Sequence, residues 1–342
     1  MFWVIFRPMS NCPEDDPVSL VIPAHNEAEV IGACLDAAVP LKRRGQLAEV
    51  IVVDDGSTDA TAGIIQRYPE VTYIRGPGGG PGAARNLGYR AASSPLVWFV
   101  DADCVVEPDA LSLLRPHMLD PRVGGVSGSY GNMREHSLLA CLIHEEIVAR
   151  HANMATDVNF LATFNVLYRR CALEEVGGFD ERFRKAQDAE LAFRVRRAGY
   201  RLHFEMRSRV RHFHEDSLST YLGVQRKQGY WRMWLYEKHP ERMGGDSYSD
   251  MFDHVQPPLA VLSLACLPLG PLSLLSIPAT LALAAAPLPM TLRLLRRTAD
   301  PRQLAYAPFS VVRAYARGVG LAEGAASVLG ARLRRRFSGS AS

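Results

Sequence analysis

The stretch Leu96-Val97-Trp98-Phe99-Val100-Asp101-Ala102-Asp103 decides the fold class of this chain. A short run of apolar and aromatic residues bounded by turn signals is typical of a strand buried on both faces of a sheet. Two carboxylates follow, and open α/β sheets bind ligands at the carboxyl ends of their strands. Carboxylate oxygens suit Mg²⁺ or Mn²⁺, ions that often hold substrate phosphates. The stretch therefore predicts a metal–diphosphate site, although aspartates at this spacing also occur in solvated loops.

The sequence before this stretch alternates between strand-like and helix-like periods. Strands are predicted at 18–22, 49–53, 71–75 and 96–100, with helices at 27–39, 58–68 and 83–92 between them. Such repeats predict an α/β fold of three layers with a mostly parallel central sheet. Further along, the patterns predict strands at 123–130 and 159–168 and helices at 136–151 and 188–198.

Charge is distributed unevenly along the chain. The net charge is +3, yet the residues after His254 contain ten arginines against Asp300 and Glu323, a local charge of +8. The first 254 residues therefore carry a net charge of −5. An acidic body with a basic, apolar tail is not typical of a nucleic-acid-binding protein. It favours a domain tethered to an anionic membrane surface.

Residues 255–292 contain no charged residue and no histidine. One straight helix of about 38 residues would measure about 57 Å, nearly twice the roughly 30 Å hydrocarbon core of a bilayer. Two spans of about 19 residues, joined by a turn at 267–271, fit better. A re-entrant or surface-lying hairpin and a buried helix pair in a soluble domain are the alternatives. The arginines that follow the run favour two cytoplasmic ends.

Two predicted helices flank this run. Residues 217–238 mix tyrosines and tryptophans with arginines and a lysine, which suits a helix at a membrane interface. A helix packed against the domain would show the same composition. Residues 309–329 are apolar but contain Arg313, Arg317 and Glu323, so we expect them at the interface or in a bundle.

The cysteines and the N-terminus indicate in which cellular compartment the protein is expected. The six cysteines show no paired or zinc-binding spacing and are expected to be reduced, mostly buried cytosolic thiols. The segment Met1-Phe-Trp-Val-Ile-Phe6 is too short for a signal peptide, so we expect no export.

Polar residues follow the first two predicted strands. Pro23-Ala24-His25-Asn26-Glu27 ends the first, and Asp54-Asp55-Gly56-Ser57-Thr58-Asp59 ends the second. Side chains and backbone N–H groups in these places suit an anionic or nucleotide ligand. Helix capping by Asn26, Ser57 or Thr58 is an alternative that needs no ligand. Capping does not account for two acids at the very end of a strand.

A glycine-rich segment, residues 76–82, precedes the third predicted helix. It lacks the Gly-Lys-Ser/Thr ending of a phosphate-binding P-loop and the glycine spacing of a dinucleotide site. We expect a flexible loop, or a plain solvated linker, before a helix whose Arg85 reaches a phosphate.

Together these motifs carry a family resemblance. Pro-Ala-His-Asn-Glu, Val-Val-Asp-Asp-Gly-Ser-Thr-Asp, Ala-Arg-Asn-x-Gly and Phe-Val-Asp-Ala-Asp occur in this order, each at a strand or helix end. The sequence resembles family 2 glycosyltransferases, whose nucleotide-sugar-binding domain has the GT-A fold. The resemblance continues through Tyr168-Arg-Arg, residues 175–180 and Gln187-Asp188-Ala-Glu-Leu191 with Arg194, and covers 17–238.

The resemblance implies a role for individual residues. Asp188 matches the catalytic base, although the motif usually reads Glu-Asp and the first position here is Gln187. His212 and His214 match a region where such enzymes often place a histidine against the metal or diphosphate; a surface histidine is the alternative. The implied nucleotide-binding residues are Ala24, Asn26, Glu27, Asp54, Asp55, Arg85 and Asp101. The implied metal ligands for Mn²⁺ or Mg²⁺ are Asp103, Asp101 and His214.

The implied reaction explains these residue types. A nucleoside diphosphate (UDP, GDP or dTDP) leaves the anomeric carbon, and a divalent cation stabilises the charge on its oxygens. The acceptor hydroxyl loses its proton to a positioned carboxylate, and a single displacement inverts the anomeric centre. Processive synthases of the family usually carry Gln-x-x-Arg-Trp. Here the nearest string is Gln228-Gly-Tyr-Trp-Arg232, so we expect transfer of a single sugar.

The sequence thus predicts a GT-A domain followed by an apolar helical membrane region, with the catalytic domain at the cytoplasmic membrane face. A lipid or lipid-linked hydroxyl is one acceptor class that such a tail would suit. The expected segments are a 1–16 extension, a 17–215 catalytic domain, a 216–254 interfacial helix and linker, a 255–330 membrane-associated region and a 331–342 flexible basic tail.

Two other functions remain as alternatives. A catalytically inactive GT-A membrane subunit that recruits a partner is compatible with Gln187. A nucleotidyltransferase is disfavoured because it would need a glycine-rich loop with Arg or Lys after the first strand, where this chain has Pro-Ala-His-Asn-Glu.

Overall fold

The computed structural model describes residues 16–268 and 270–338, apart from the side chains of Arg242, Leu272 and residues 336–338. The predicted N-terminal extension lies outside the described residues, except for Asp16. The described chain forms two compact units. We call them the sheet unit (16–133 and 151–213) and the helical unit (134–150 and 214–338).

A mixed sheet forms the centre of the sheet unit. Its path is β3-β2-β1-β4-β8-β6-β9-β5, with β7 paired to β9. The first four strands of this path run parallel, and β8 then pairs antiparallel with both β4 and β6. The strands are β1 Val18–Ala24, β2 Glu49–Asp54, β3 Val71–Arg75, β4 Leu96–Val100, β5 Cys104–Val106, β6 Val123–Asn132, β7 Asp157–Val158, β8 Asn165–Arg169 and β9 Arg201–His212.

Helices cover both faces of this sheet. They are α1 Ile31–Arg43, α2 Thr61–Ile65, α3 Pro81–Ala91, α4 Ala110–Leu114, α6 Arg170–Val176 and α7 Gln187–Arg197, with a 3-10 turn at Arg115–Leu119. Alternate side chains of β4 point to opposite faces. Trp98 joins the core that contains α1, whereas Phe99 joins the core that contains α3 and α7. The predicted three-layer α/β fold is confirmed.

The sequence patterns missed three strands of the second half of the sheet, namely β5, β7 and β9. Of these, β9 is the longest, and it contains seven charged or histidine residues among its twelve. Its buried residues nevertheless alternate, as Leu202, Phe204, Ser208 and Val210 show. Because β9 is so polar, the alternation of its buried and exposed side chains was not recognised as the pattern of a strand.

The remaining helices build the helical unit. They are α5 Leu138–His151, whose last residue is assigned to the sheet unit, α8 Leu218–Lys238, α9 Met251–Ala265, α10 Ser276–Ala285, α11 Leu288–Thr298 and α12 Tyr306–Ser338. Helix α8 packs closely against α12, because a Cβ on Gly229, Gly320 or Gly324 would collide with the backbone of the facing helix. The apolar and polar side chains of α8 are not segregated to opposite faces, which fits a packed helix better than an interfacial one.

Buried charges join three helices of this unit. Arg150 of α5 contacts Glu146, with 2.7 Å between Nη2 and Oε1, and also Asp253 of α9. Arg313 of α12 contacts Glu146, and Arg317 Nη1 lies 2.9 Å from Asp253 Oδ1. Burial raises the pKa of Glu146, but the two arginines outweigh it and lower that pKa to about 2. Removing one partner of such a pair costs about 3–5 kcal/mol, because a buried charge is left uncompensated.

The apolar run differs from the expected pair of spans. One helical segment among the described residues, Ser273–Thr298, is long and apolar enough to cross a membrane, and about a third of its most apolar window (33%) is buried. Helix α9 has only fifteen residues. Pro268 and Pro271 fall between α9 and α10, where their missing N–H groups favour a break.

Two predicted segments also differ from the structure. Residues 134–150 group with the C-terminal helices rather than with the catalytic domain predicted at 17–215. The expected flexible tail is helical through Ser338, and Arg332 in it pairs with Glu237 of α8. Residues 339–342 lie outside the described part.

We predict that Gly88→Ala destabilises the protein. A Cβ at Gly88 of α3 would collide with Val21 Cγ1 of β1 and lie 3.3 Å from Val53 Cγ2 of β2. Overpacking of this kind costs about 1–3 kcal/mol. The melting temperature followed by circular dichroism should therefore fall.

Gly63→Ala is the matched control. Gly63 also lies in a helix and is exposed, and a Cβ at this position would meet no other part of the protein within 4 Å. Alanine favours a helix by up to about 1 kcal/mol over glycine, so this variant should melt at or above the wild-type temperature. Equal melting of Gly88→Ala and Gly63→Ala would contradict the packing argument.

Candidate functional site

The loops after β1 and β2 are joined to each other by hydrogen bonds. Asn26 adopts a left-handed conformation (φ 58°), and its side-chain oxygen accepts from the Thr58 N–H at 2.8 Å. Its own N–H donates to Ser57 Oγ at 2.9 Å. Helices α1 and α2 begin later, at Ile31 and Thr61, without a side-chain cap. Asn26, Ser57 and Thr58 therefore tie two loops together rather than cap helices.

Asp54 and Asp55, at the end of β2, have different surroundings. Asp54 is fully buried and accepts from the Ser57 N–H at 2.8 Å and the Tyr73 hydroxyl at 2.9 Å. Asp55 accepts from the N–H groups of Gly79 and Gly80, at 2.9 and 2.5 Å. Asp54 thus shapes the turn, while Asp55 orders the glycine-rich loop expected to be flexible.

The Ala84-Arg85-Asn86 motif on α3 positions two separate groups. Arg85 is buried, and its Nη2 lies 2.5 Å from Asp101 Oδ1. Asn86 clamps the backbone of Phe179, accepting from its N–H at 2.8 Å and donating to its carbonyl at 2.9 Å. In this arrangement the predicted phosphate-binding Arg85 holds the first aspartate of the Asp-Ala-Asp stretch.

The second aspartate faces a histidine. Antiparallel pairing of β5 with β9 places Cys104 opposite His212. The His212 ring then lies beside the preceding residue, with Nε2 3.0 Å from Asp103 Oδ2. Ligand atoms of Asp103, Cys104 and His212 all lie within 4.8 Å of one another. Tyr130 packs against this ring, with centroids 5.2 Å apart.

The chemistry of these donors fits a divalent cation such as Mn²⁺. Carboxylate oxygen and imidazole nitrogen are ligands that such ions accept. Burial, followed by the charges of Asp103 and Asp101, raises the pKa of the Cys104 thiol, so it stays protonated and is a poor ligand. Asp103 and His212 are therefore the fitting pair, with Asp101 close by.

Negative charge accumulates around this pair. Burial, and then the charges of Asp103 and Asp101, raise the pKa of Glu27 to about 8. Burial opposes protonation of the His212 ring, but Asp103, Asp101 and Glu27 outweigh it and raise the pKa of His212. A bound cation would relieve this repulsion.

Asp188 lies in the first turn of α7, partly buried. The preceding Ala186 has a positive φ of 61°, a conformation that costs a residue with a Cβ about 1–3 kcal/mol. Burial raises the pKa of Asp188; Arg85 acts to lower it and Asp101 to raise it. These charge interactions bring Asp188 into the same electrostatic site as Asp101.

A buried ion pair fixes the helix that carries Asp188. Glu190 is fully buried, and its Oε2 accepts from Arg194 Nη2 at 2.6 Å. Arg194 also donates to the carbonyls of Val176 and Gly178, at 2.6 and 2.7 Å. Gln187, in place of the usual glutamate, is buried, and its Oε1 has no hydrogen-bond partner among the described residues. Glu190 and Arg194, rather than Gln187, therefore anchor the helix that carries Asp188.

The two candidate histidines separate at the end of β9. His212 is the last residue of the strand and faces Asp103. His214 belongs to the helical unit, where its Nε2 lies 3.3 Å from His144 Nδ1. The sequence predicted His214 as the metal ligand; the geometry favours His212. Recognition of β9 in the sequence would have distinguished the two histidines, because the strand ends at His212 and His214 lies beyond it.

Most of the other predicted residues lie together in the sheet unit. Glu27, Asp101, Asp103 and Asp188 are linked by charge interactions, with Arg85 among them. Ala24, through its carbonyl, accepts from the Asp55 N–H at 2.8 Å. Sequence reasoning missed the Asn86 clamp and the pairing of His212 with Asp103, since both depend on contacts between distant segments.

Comparisons with known proteins point to one family. The model of Glycosyl transferase family 2 matches residues 19–177. The pre-mycofactocin glycosyltransferase of Mycobacterium tuberculosis is 28% identical over 250 residues, which cover 69% of this chain and 51% of that protein. The probable glycosyltransferase YdaM of Bacillus subtilis is 32% identical over 211 residues, covering 57% and 50%. The chain spans about half the length of these curated relatives.

A solved structure shows the same architecture. The mannosyltransferase of Pyrobaculum calidifontis, in complex with GDP-Man and Mn²⁺, aligns over 92% of this chain and 90% of its own, with a TM-score of 0.56 and 22% identity. At this identity the likeness concerns the fold. The chain has the GT-A fold, and its residues 19–177 belong to glycosyltransferase family 2.

Proposed function

We propose that this protein is an inverting glycosyltransferase that moves one sugar from a nucleoside-diphosphate sugar to a hydroxyl group. The observation that carries the proposal is a fitting cation site at Asp103 and His212, beside Asp101, whose charge also acts on the partly buried Asp188. One side of the site would hold the departing diphosphate, and the other would accept a proton.

The proposed base suits its task. A carboxylate is a better base when its pKa is raised, and burial raises that of Asp188. The Glu190–Arg194 pair and the Asn86 clamp hold its helix and the preceding loop, so the carboxylate is oriented before the acceptor arrives.

Asp103 and His212 would hold Mn²⁺ or Mg²⁺, with Asp101 beside them. When bound, the cation would stabilise the negative charge of the leaving diphosphate. Arg85, which is paired with Asp101, would keep that aspartate in place. The loops containing Asn26 and Asp55 are proposed to hold the nucleoside. The mannosyltransferase complex makes GDP-mannose with Mn²⁺ a first donor to test, beside UDP- and dTDP-sugars.

The proposed place of action is the cytoplasmic face of a membrane. Segment Ser273–Thr298 is long and apolar enough to enter the bilayer, and Ile277 and Leu281 on it are 56% and 65% exposed. Arg296 and Arg297 lie in its last turn, as expected for a cytoplasmic flank. A lipid or lipid-linked hydroxyl is the acceptor class that this location favours.

We predict that Asp188→Asn lowers the turnover number by about 10²–10⁴ while donor binding persists, because only proton acceptance is lost. Asp103→Ala should instead weaken Mn²⁺-dependent donor binding. Transfer and donor hydrolysis measure the first effect. Thermal shifts with GDP-, UDP- and dTDP-sugars measure the second.

Asp109→Asn is the control, since Asp109 is an exposed aspartate just before α4. Full activity of Asp188→Asn would refute the proposed base. Donor binding without turnover by the wild-type protein, on every donor in the panel, would favour the inactive-subunit alternative.

The pH profile gives a second prediction. The base must be deprotonated, so the rate falls as pH drops through the pKa of Asp188, and this limb should lie above the ordinary value of 3.8. Arg85→Gln removes a cation that lowers this pKa, and should move the limb to higher pH. Arg90→Gln, an exposed arginine on the same helix, should leave it in place. An identical limb in both variants would contradict the assignment.

Charged substitutions in Ser273–Thr298 test whether this segment attaches the protein to a membrane. We predict that Ile277→Glu with Leu281→Glu reduces flotation with vesicles of phosphatidylcholine and phosphatidylglycerol, because a charge inside a bilayer costs about 2.5–3.5 kcal/mol. Leu119→Glu replaces an apolar residue of the sheet unit that is 47% exposed, and should float like the wild type. Unchanged flotation of the double variant would refute attachment through this segment.

A further inference from the structure

An open cavity of about 490 Å³ lies within the helical unit, lined by residues of α8, α9 and α12. Its volume is in the range of small-molecule sites. Most of its lining is apolar, and Leu321, Val328 and Leu329 contribute a row along α12. At 1.5 Å per residue this row extends about 12 Å, enough to follow part of a hydrocarbon chain.

Three arginines also line this cavity, and two of them are neutralised. Arg317 pairs with Asp253, and Arg332 pairs with Glu237. Arg232 is partly buried and contacts the Tyr236 hydroxyl. Asp246 and Asp253 attract it, but within the described residues no carboxylate lies within 4 Å of its guanidinium. A guanidinium keeps its charge at all ordinary pH values. The lining thus carries three arginines against two carboxylates, those of Glu237 and Asp253, and has an excess of positive charge at Arg232.

His254 of α9 also lines the cavity, and one of its two ring nitrogens lacks a partner among the residues described. His254 Nδ1 lies 3.2 Å from the Tyr236 hydroxyl. Its Nε2 is buried and has no hydrogen-bond partner in the part of the chain that the structure describes. The charged guanidinium of Arg232 therefore is the group that favours a ligand with an anionic oxygen acceptor.

We propose that this cavity binds a phosphate-bearing lipid, with the phosphate at Arg232 and the hydrocarbon chain along Leu321 to Leu329. The planar guanidinium matches phosphate oxygens, and the apolar row would remove the chain from water. Free phosphate could use only the first contact, and a neutral lipid only the second. This binding site goes beyond the proposed sugar transfer, since it involves none of the residues assigned to that reaction.

The experiment measures thermal shifts of the full-length protein in a non-ionic detergent, without a sugar donor. The probes are hexadecyl phosphate, hexadecanol and inorganic phosphate. We expect only hexadecyl phosphate to raise the melting temperature. Arg232→Gln should bind it at least tenfold more weakly. Arg226→Gln removes an exposed arginine of the same helix, one that does not line the cavity, and should bind like the wild type.

Ala325→Phe provides an independent variant, because Ala325 lines the cavity and a larger side chain would occupy the space for the hydrocarbon chain. It should lose the response to hexadecyl phosphate while still melting cooperatively. The proposal is overturned if hexadecanol gives an equal shift, or if Arg232→Gln or Ala325→Phe binds as tightly as the wild type. Since no donor is present, failure of sugar transfer would leave this result standing.

Discussion

The carboxylates of Glu27, Asp101, Asp103 and Asp188 repel one another within one site, and contacts around that site offset part of the repulsion. Arg85 offsets Asp101, and His212 offsets Asp103. Glu27 has no comparable partner in this arrangement, and its pKa rises to about 8 because burial and its acidic neighbours both disfavour its charge. The carboxylates of this site thus outnumber the protein cations beside them, and full ionisation of the site requires a further positive charge. That imbalance favours a divalent cation on electrostatic grounds, independently of any relative.

Concentrating charge in this way requires rigid support, which comes from contacts between distant segments. Asn86 of α3 holds the backbone of Phe179, and the Glu190–Arg194 pair holds the turn just before it. Both supports act on the chain that leads to Ala186 and its left-handed conformation. The small family motifs on either side of Asp188 are therefore parts of one framework.

The sequence predicted the parallel half of the sheet well because buried parallel strands leave a strong local signal, as residues 96–100 do. It also located the acids, since they follow those strands directly. It missed β9, whose charged residues hid its alternation, and so it favoured His214 over His212. It also left open whether Asn26 caps a helix, because a hydrogen bond to Thr58 across 32 positions has no local signature. The sequence-based predictions failed where a feature depends on pairing between distant segments, and they succeeded where a feature has a local sequence pattern.

The path of the chain has a consequence for how the protein can be divided. The backbone leaves the sheet unit after Met133, returns at His151 and leaves again after Phe213. A protein shortened after Phe213 would keep α5 but lose α9 and α12. Glu146 and Arg150 would then remain without Asp253 and Arg313, and the core that covers them would be gone. The C-terminal helices are thus needed to complete a core that begins with α5, so a cut after Phe213 leaves that core open.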